Sequence, residues 1–212
     1  DAALLISPSG QTALFDDGNF ADCTGIKDHL RSLGLKWIDY HFLSHYHSDH
    51  LGCIDQLAGA GIGIRTMGYD RGETYNSASF VNYINILRDK RQTLTKGQTV
   101  TLDGESASPV RITCINLNGA GVYSTLTGMD ENPLSAVFKI TYGAFDEVIG
   151  GDLTGSTARM DDVETTVAPQ VGPVEVYKVH HHGSAYSSND NWLNATTPLV
   201  GIVSVGNDNA FG

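Results

Sequence analysis

The feature that most restricts this chain is where its histidines sit. Six of the eight fall in two short clusters, His45-x-His47-x-Asp49-His50 and His180-His181-His182. Residues 37–43 read as a strand running into the first cluster, and residues 51–58 as a short helix directly after it. The four side chains of that cluster therefore lie on a tight strand-to-helix turn. His45 and His47 are two positions apart, so an extended backbone points both the same way. Asp49 and His50 are adjacent and turn with the chain toward a second point. One loop thus offers two ligands to each of two cations, and imidazole with carboxylate suits zinc, or manganese or iron. The alternative is a set of solvated or core histidines, and three His and one Asp in fixed register argue against it.

A two-cation centre needs ligands from elsewhere. Gly150-Gly151-Asp152 closes an expected strand and offers a carboxylate suited to bridging, although Gly-Gly-Asp by itself is more often a turn. The second histidine cluster is internal and follows an apolar strand at 174–179, which favours a site over a surface tract. Between the clusters the chain reads as alternating elements. A hairpin pairs 4–6 with 12–15, and helical spacing of Ile26, Leu30 and Leu33 ends near Gly34. A strand is expected at 63–67, a helix at 77–91, strands at 100–102 and 110–115, and a long polar loop at 116–132. A second hairpin at 135–141 and 145–149, a helix at 156–167, a short helix at 191–195 and a strand at 199–205 complete the order. The pattern is mixed α/β and fits a helix-flanked β-sandwich as well as an open sheet.

Composition narrows the class. The 212 residues, 41% hydrophobic and 17% charged, suit one compact globular domain over 1–212. A formal net charge of −11 argues against a protein that lives on nucleic acid through a broad basic face. No apolar run reaches the roughly 18 residues that cross a bilayer, so no membrane span is expected. No obligate protein partner is expected either. The start at Asp1 reads as a mature or trimmed domain. Cys23, Cys53 and Cys114 are an odd set and form no disulfide framework. The readings are buried small hydrophobes, or one bridge plus a free thiol.

The three motifs together, ending in Lys178-Val179-His180-His181-His182-Gly183-Ser184, resemble the metallo-β-lactamase superfamily. They most resemble its branch of ComEC-type competence proteins and secreted phosphorylcholine esterases. Leu14-Phe15-Asp16-Asp17-Gly18 resembles the first motif of that branch, and Glu131-Asn132-Pro133-Leu134-Ser135 its central one. Val203-Ser204-Val205-Gly206 with Phe211-Gly212 resembles its last. The resemblance implies the αββα four-layer sandwich of the metallo-β-lactamase fold. It implies two divalent metal ions, His45 and His47 on one, Asp49 and His50 on the other, Asp152 bridging, and His182 rather than His181 as the remaining ligand. Asp16 is expected to support the His45 loop by hydrogen bonds. Asp49 and His181 are the expected catalytic groups, and Lys178, Ser184, Tyr123 and Tyr186 candidate substrate contacts, with ordinary packing as the alternative for each.

Two departures stand out. Many superfamily members carry a His where this chain has Asp130-Glu131-Asn132, and ComEC-like chains continue past the equivalent of Gly212 with His-Pro. The implied activity is metal-dependent hydrolysis of a small-molecule or nucleic-acid phosphodiester, by a nuclease or a phosphocholine-type esterase outside the cell or in the periplasm. A carbonyl hydrolase of lactamase or lactonase type and a non-enzymatic metal- or partner-binding domain are the alternatives.

Overall fold

The computed structural model describes residues 1–119, 121–126, 128–158 and 160–206. The chain forms two compact units, Asp1–Leu94 and Thr95–Gly212. Each is built on one sheet with its own helices and its own apolar core.

In the first unit, β1 (Ala3–Ile6) and β2 (Thr12–Phe15) make the expected antiparallel hairpin, with Ala3 opposite Phe15. Helix α1 (Cys23–Ser32) buries Cys23 and Leu30 and carries His29 and Arg31 in its last turn, where cations suit the helix dipole. Strand β3 (Trp37–Phe42), helix α2 (Ile54–Gly59), strand β4 (Gly63–Asp70), helix α3 (Ala78–Leu87) and strand β5 (Arg91–Thr93) follow. The sheet order is β1-β2-β3-β4-β5, and β2 to β5 run parallel. Parallel strands with helical crossovers send every strand's C-terminal end to one edge, which is where such sheets place their functional loops. Asp16 follows β2, the His45–His50 turn follows β3, and both emerge at that edge. Leu14, Leu30, Ile38, Leu57, Phe80 and Tyr83 are among the core residues below it.

The helix expected at 77–91 is shorter. Ser77 accepts the Phe80 amide as an N-cap, and the chain leaves helical geometry at Arg88, with φ 51°. Arg91 to Thr93 then pair with β4. Arg91 reaches Asp70 through two nitrogens, at 2.6 and 3.1 Å, and that pairing outweighs the local helical pattern.

In the second unit, β6 (Thr99–Leu102), β7 (Val110–Asn116), β8 (Val137–Tyr142) and β9 (Phe145–Ile149) form an antiparallel meander. Helix α4 (Glu164–Val171), strand β10 (Val176–Lys178), helix α5 (Asp190–Thr196) and strand β11 (Val200–Ile202) complete it, in the order β11-β10-β9-β8-β7-β6. Strands β9, β10 and β11 are parallel. Lys178 lies beside Ile149, so the turns after β9 and β10 leave the sheet side by side. Val137, Val148, Leu153, Val167, Tyr177 and Trp192 are in the core.

Helix α4 begins later than the expected 156–167. The Val163 and Glu164 amides donate to Thr154 O at 2.9 and 3.0 Å, and Asp162 accepts the Thr165 amide at 3.0 Å. These bonds fix the first turn at 163–165. Gly172, at φ 67°, ends the helix.

Candidate metal centre

The first unit assembles its four motif side chains tightly. His45 Nε2 lies 3.1 Å from His47 Nδ1, and the His45 and His50 ring centroids are 4.2 Å apart. Asp49 Oδ2 is 3.7 Å from His50 Nε2. His45 and His50 are fully buried, whereas the Asp49 side chain is 39% exposed. Donors held about 2.0–2.1 Å from a tetrahedral cation lie roughly 3.3 Å from one another. The His45–His47 and Asp49–His50 spacings are of that size, so the donor set fits divalent cations.

Asp16 fixes which ring nitrogens are available. The Ser44 amide donates to its Oδ1 at 2.7 Å, and the Ser44 hydroxyl donates to Oδ2 at 2.9 Å. With its proton committed to Asp16, Ser44 Oγ accepts from His45 Nδ1 at 3.0 Å. His50 Nδ1 donates to Asp16 Oδ2 at 2.7 Å. Both rings thereby carry their proton on Nδ1 and present Nε2 as a lone pair, the tautomer a metal requires. Burial by itself would raise the Asp16 pKa. The neighbouring His50 and its Nδ1 hydrogen bond, then His45 and the Ser44 amide, outweigh burial and hold the carboxyl below its ordinary value.

Tyr46, between the two histidines, is anchored away from them. Its hydroxyl lies 3.0 Å from Asp70 Oδ1, and the Arg71 guanidinium sits 4.4 Å over its ring. Burial and Asp70 push the Tyr46 hydroxyl well above its ordinary pKa, so it stays neutral. A neutral, buried Tyr46 pins the middle of the loop while its neighbours point elsewhere. Beyond the loop, a Cys23–Cys53 disulfide ties the start of α1 to the start of α2, and Cys114 is a buried free thiol. The bridge-plus-thiol reading is therefore the one realised.

The second unit brings Asp152 and the second histidine cluster together. His182 Nε2 is 3.4 Å and His181 Nε2 3.9 Å from Asp152 Oδ2. His182 Nδ1 donates to Ser204 O at 3.0 Å, which makes Nε2, facing Asp152, the unprotonated nitrogen of the neutral ring. His181 Nε2 instead lies 3.2 Å from Asn132 Nδ2. Asn132 belongs to the Asp130-Glu131-Asn132 segment, where the resemblance implies a further His, and its amide lies beside His181. His181 and His182 both adopt left-handed backbone, with φ 48° and 55°. Such conformers cost about 1–3 kcal/mol each and persist where surrounding structure imposes them.

The other expected residues are spread more widely. Lys178 ends β10 and is 6% exposed, and Ser184 is 3% exposed, with its hydroxyl accepting the Tyr186 amide at 3.2 Å. Tyr123 packs against the core of the second unit. Phe211 and Gly212 lie outside the described residues. Sequence reasoning gave no role to Glu164, yet it is fully buried with Oε1 2.7 Å from His180 Nδ1. It also missed the buried pair of His41 and Asp17, 3.1 Å apart. A histidine inside an apolar strand, as His41 is, or just after one, as His180 is, is the available signal, because a buried imidazole needs an acceptor. Nothing in the sequence names the acceptor.

No family model matches the chain. It is 25% identical over 213 residues to the competence protein ComA of Neisseria gonorrhoeae, an alignment covering 99% of this chain and 26% of that protein. The chain thus spans about a quarter of the length of that relative, and the match agrees with the competence-protein resemblance read from the motifs. Among solved structures, a HARLDQ-motif mutant of a metallo-β-lactamase from Cronobacter sakazakii superimposes with a TM-score of 0.54 at 18% identity, covering 83% of this chain and 71% of that one. MEM-A1, a subclass B3 metallo-β-lactamase from a soil metagenome library, gives 0.53 at 17%, covering 84% and 71%. The metallo-β-lactamase fold protein YhfI of Bacillus subtilis gives 0.50 at 16%, covering 84% and 62%. These likenesses show the fold: the chain has the mixed α/β metallo-β-lactamase fold expected from its motifs.

Proposed function

We propose that the chain is a metal-dependent hydrolase of phosphodiesters. Its ligands in this reading are His45, His47, Asp49 and His50 with Asp152 and His182. The observation that carries the metal reading is the Asp16–Ser44 arrangement, which fixes the proton of His45 and of His50 on Nδ1 and makes Nε2 the unprotonated nitrogen of each ring. That tautomer turns both Nε2 lone pairs toward the neighbouring motif side chains, His47 and Asp49. The order of the motifs along the chain supports assigning both sets to one pair of cations.

Divalent cations held there would supply hydroxide near neutral pH and neutralise charge on a phosphoryl oxygen. The chain's own groups supply the remainder. Asp49, the most exposed of the charged ligands, is the group to orient the attacking water. His181, with Asn132 beside its Nε2, is the group to pass a proton to the leaving oxygen. The phosphodiester preference rests on the His-His-Gly-Ser segment and on the ComA likeness. The lactamase names belong to proteins under 20% identical to this chain, and one fold hosts many reactions. Zinc is the favoured cation from the imidazole-rich donor set.

A location outside the cell or in the periplasm is part of this reading. The Cys23–Cys53 disulfide supports it, because such bonds persist in oxidising compartments. Among the described residues no helix is long and apolar enough to cross a membrane.

The test is turnover of bis(p-nitrophenyl) phosphate, with a chromogenic β-lactam in parallel. It compares protein as purified, chelator-stripped, re-metallated with zinc or manganese, and carrying His47→Ala. Activity on the phosphodiester that is lost on stripping, restored by metal and absent in the variant is the expected result. Hydrolysis of the lactam alone would replace this reading with the carbonyl one.

A further inference from the structure

Four residues separate two glycines in the turn that carries Asp152, and each glycine is met by one half of a buried acid–histidine pair. A Cβ on Gly150 would collide with His180 Nε2 and come within 2.9 Å of its Cδ2. A Cβ on Gly155 would collide with Glu164 Oε2 and come within 2.7 Å of its Cδ. His180 and Glu164 are both fully buried and joined through Nδ1 and Oε1 at 2.7 Å. The pair therefore spans the turn like a strut, one end on each glycine.

The same strut holds the strained histidines. His180 immediately precedes the left-handed His181–His182 segment, and its amide donates to Tyr177 Oη at 3.0 Å. Glu164 accepts the Ser188 amide at 2.7 Å and the Asn189 amide at 2.8 Å, closing the far side of that loop. Trp192 stacks beside the His180 ring, with centroids 4.5 Å apart. The hydrogen bonds Glu164 accepts thus all hold the segment that carries His182, on both sides of it, while its carboxylate packs against Gly155 in the turn that carries Asp152.

We infer that the Glu164–His180 pair is a positioning device, holding Asp152 and His182 at cation-binding separation without touching the cation. This rests on the metal reading above. Gly150 and Gly155 are glycines in this account because the strut occupies the space of a side chain at both positions.

The experiment measures zinc affinity of the whole chain by competition with a chromophoric chelator, alongside the melting temperature of the metal-free protein. Glu164→Gln, Glu164→Ala and Gly150→Ala are compared with Val171→Ala, a core change in α4 away from the strut. We expect zinc affinity to fall about ten- to a hundredfold in the first three, as for other groups that orient metal ligands. Gln should lose less than Ala, since one acceptor remains. Val171→Ala should lower the melting temperature and leave zinc affinity at the wild-type value. Gly150→Ala should have no further effect in a His180→Ala background. Wild-type zinc affinity in Glu164→Gln or in Gly150→Ala would overturn the positioning role, as would an equal loss in Val171→Ala. If Glu164→Ala does not fold, the Gly150 pair decides alone. Absence of zinc binding by the unmodified chain would defeat the metal reading itself and take the strut with it, a result distinct from a normal wild type with unaffected variants.

Discussion

Asp16 Oδ2 lies 2.7 Å from His50 Nδ1, and the same oxygen accepts the hydroxyl of Ser44 at 2.9 Å. One carboxylate thereby orients two imidazoles, His50 directly and His45 through Ser44. Replacing Asp16 with Asn would put an amide where three donors converge, leaving at least one of them unmet. Asp16→Asn is expected to weaken zinc binding by about ten- to a hundredfold. The melting temperature of the metal-free protein should fall as well, because a buried donor left unsatisfied costs about 1–3 kcal/mol. Chelator competition and thermal unfolding read the two effects separately. Unchanged zinc affinity in a folded Asp16→Asn would remove Asp16 from the site.

His181 and His182 are adjacent but differently committed. His182 is tied through Nδ1 to Ser204 O, while His181 faces Asn132. His182→Ala is expected to lower metal affinity and turnover together. His181→Ala should keep the metal and lower kcat by about 10²–10⁴-fold, the usual share of a proton-transfer group. Metal content of the two purified variants, measured beside phosphodiester turnover, decides the assignment. Loss of metal from His181→Ala with retention in His182→Ala would reverse it.

Asp70 is fully buried and accepts from Arg91 at 2.6 and 3.1 Å, from the Gly72 amide at 2.8 Å and from Tyr46 at 3.0 Å. Arg91, whose side chain is 21% exposed, has its pKa raised by this bond. Asp70→Ala would take its carboxylate from the Arg91 guanidinium, while the Tyr46 hydroxyl keeps Gly72 O as an acceptor. Removing one partner of a buried pair costs about 3–5 kcal/mol, and denaturant unfolding should show a loss of that order. A loss below about 1 kcal/mol, the range of exposed pairs, would mean that solvent already screens this one.

The cysteines give a count. With Cys23 and Cys53 bridged, unfolded but unreduced protein should release one titratable thiol, and reduced protein three. In the folded protein burial pushes the Cys114 thiol up to about 12, so thiol reagents should not label it near neutral pH. A pKa raised above the unfolded value of about 8.5 means the folded state holds the proton more tightly. Stability from this group is therefore full below about 8.5 and falls as pH rises toward 12. Reduction of the bridge, which closes a separation of 30 residues, should cost about 3–4 kcal/mol on the loop-entropy estimate. Three thiols in unreduced, unfolded protein would rule the bridge out.

Much of the scaffold was legible from local patterns. The hairpin around Pro8-Ser9-Gly10, strand β3 with the histidine turn after it, and the 137–149 hairpin follow from period-two apolarity and turn residues, which act between near neighbours. The misjudged elements are those that distant partners set. Residues 88–91 fit the helical pattern locally, and Asp70 draws Arg91 into a strand. Helix α4 starts where Thr154 O, outside the expected helix, accepts the Val163 and Glu164 amides.

The candidate site divides the same way. The sequence by itself determined the ligand types, since His45-x-His47-x-Asp49-His50 needs only an extended backbone and a turn to present its donors. It also pointed to Asp152 as the candidate carboxylate and to the cluster at 180–182 as the other candidate source of imidazole. Only the tertiary structure decided between neighbours in that cluster: His180 pairs with Glu164, His181 faces Asn132, and His182 is held by Ser204. The physical reason is that a histidine's role is fixed by what its second ring nitrogen meets. Those partners lie 16, 49 and 22 residues away, a separation that no local pattern spans.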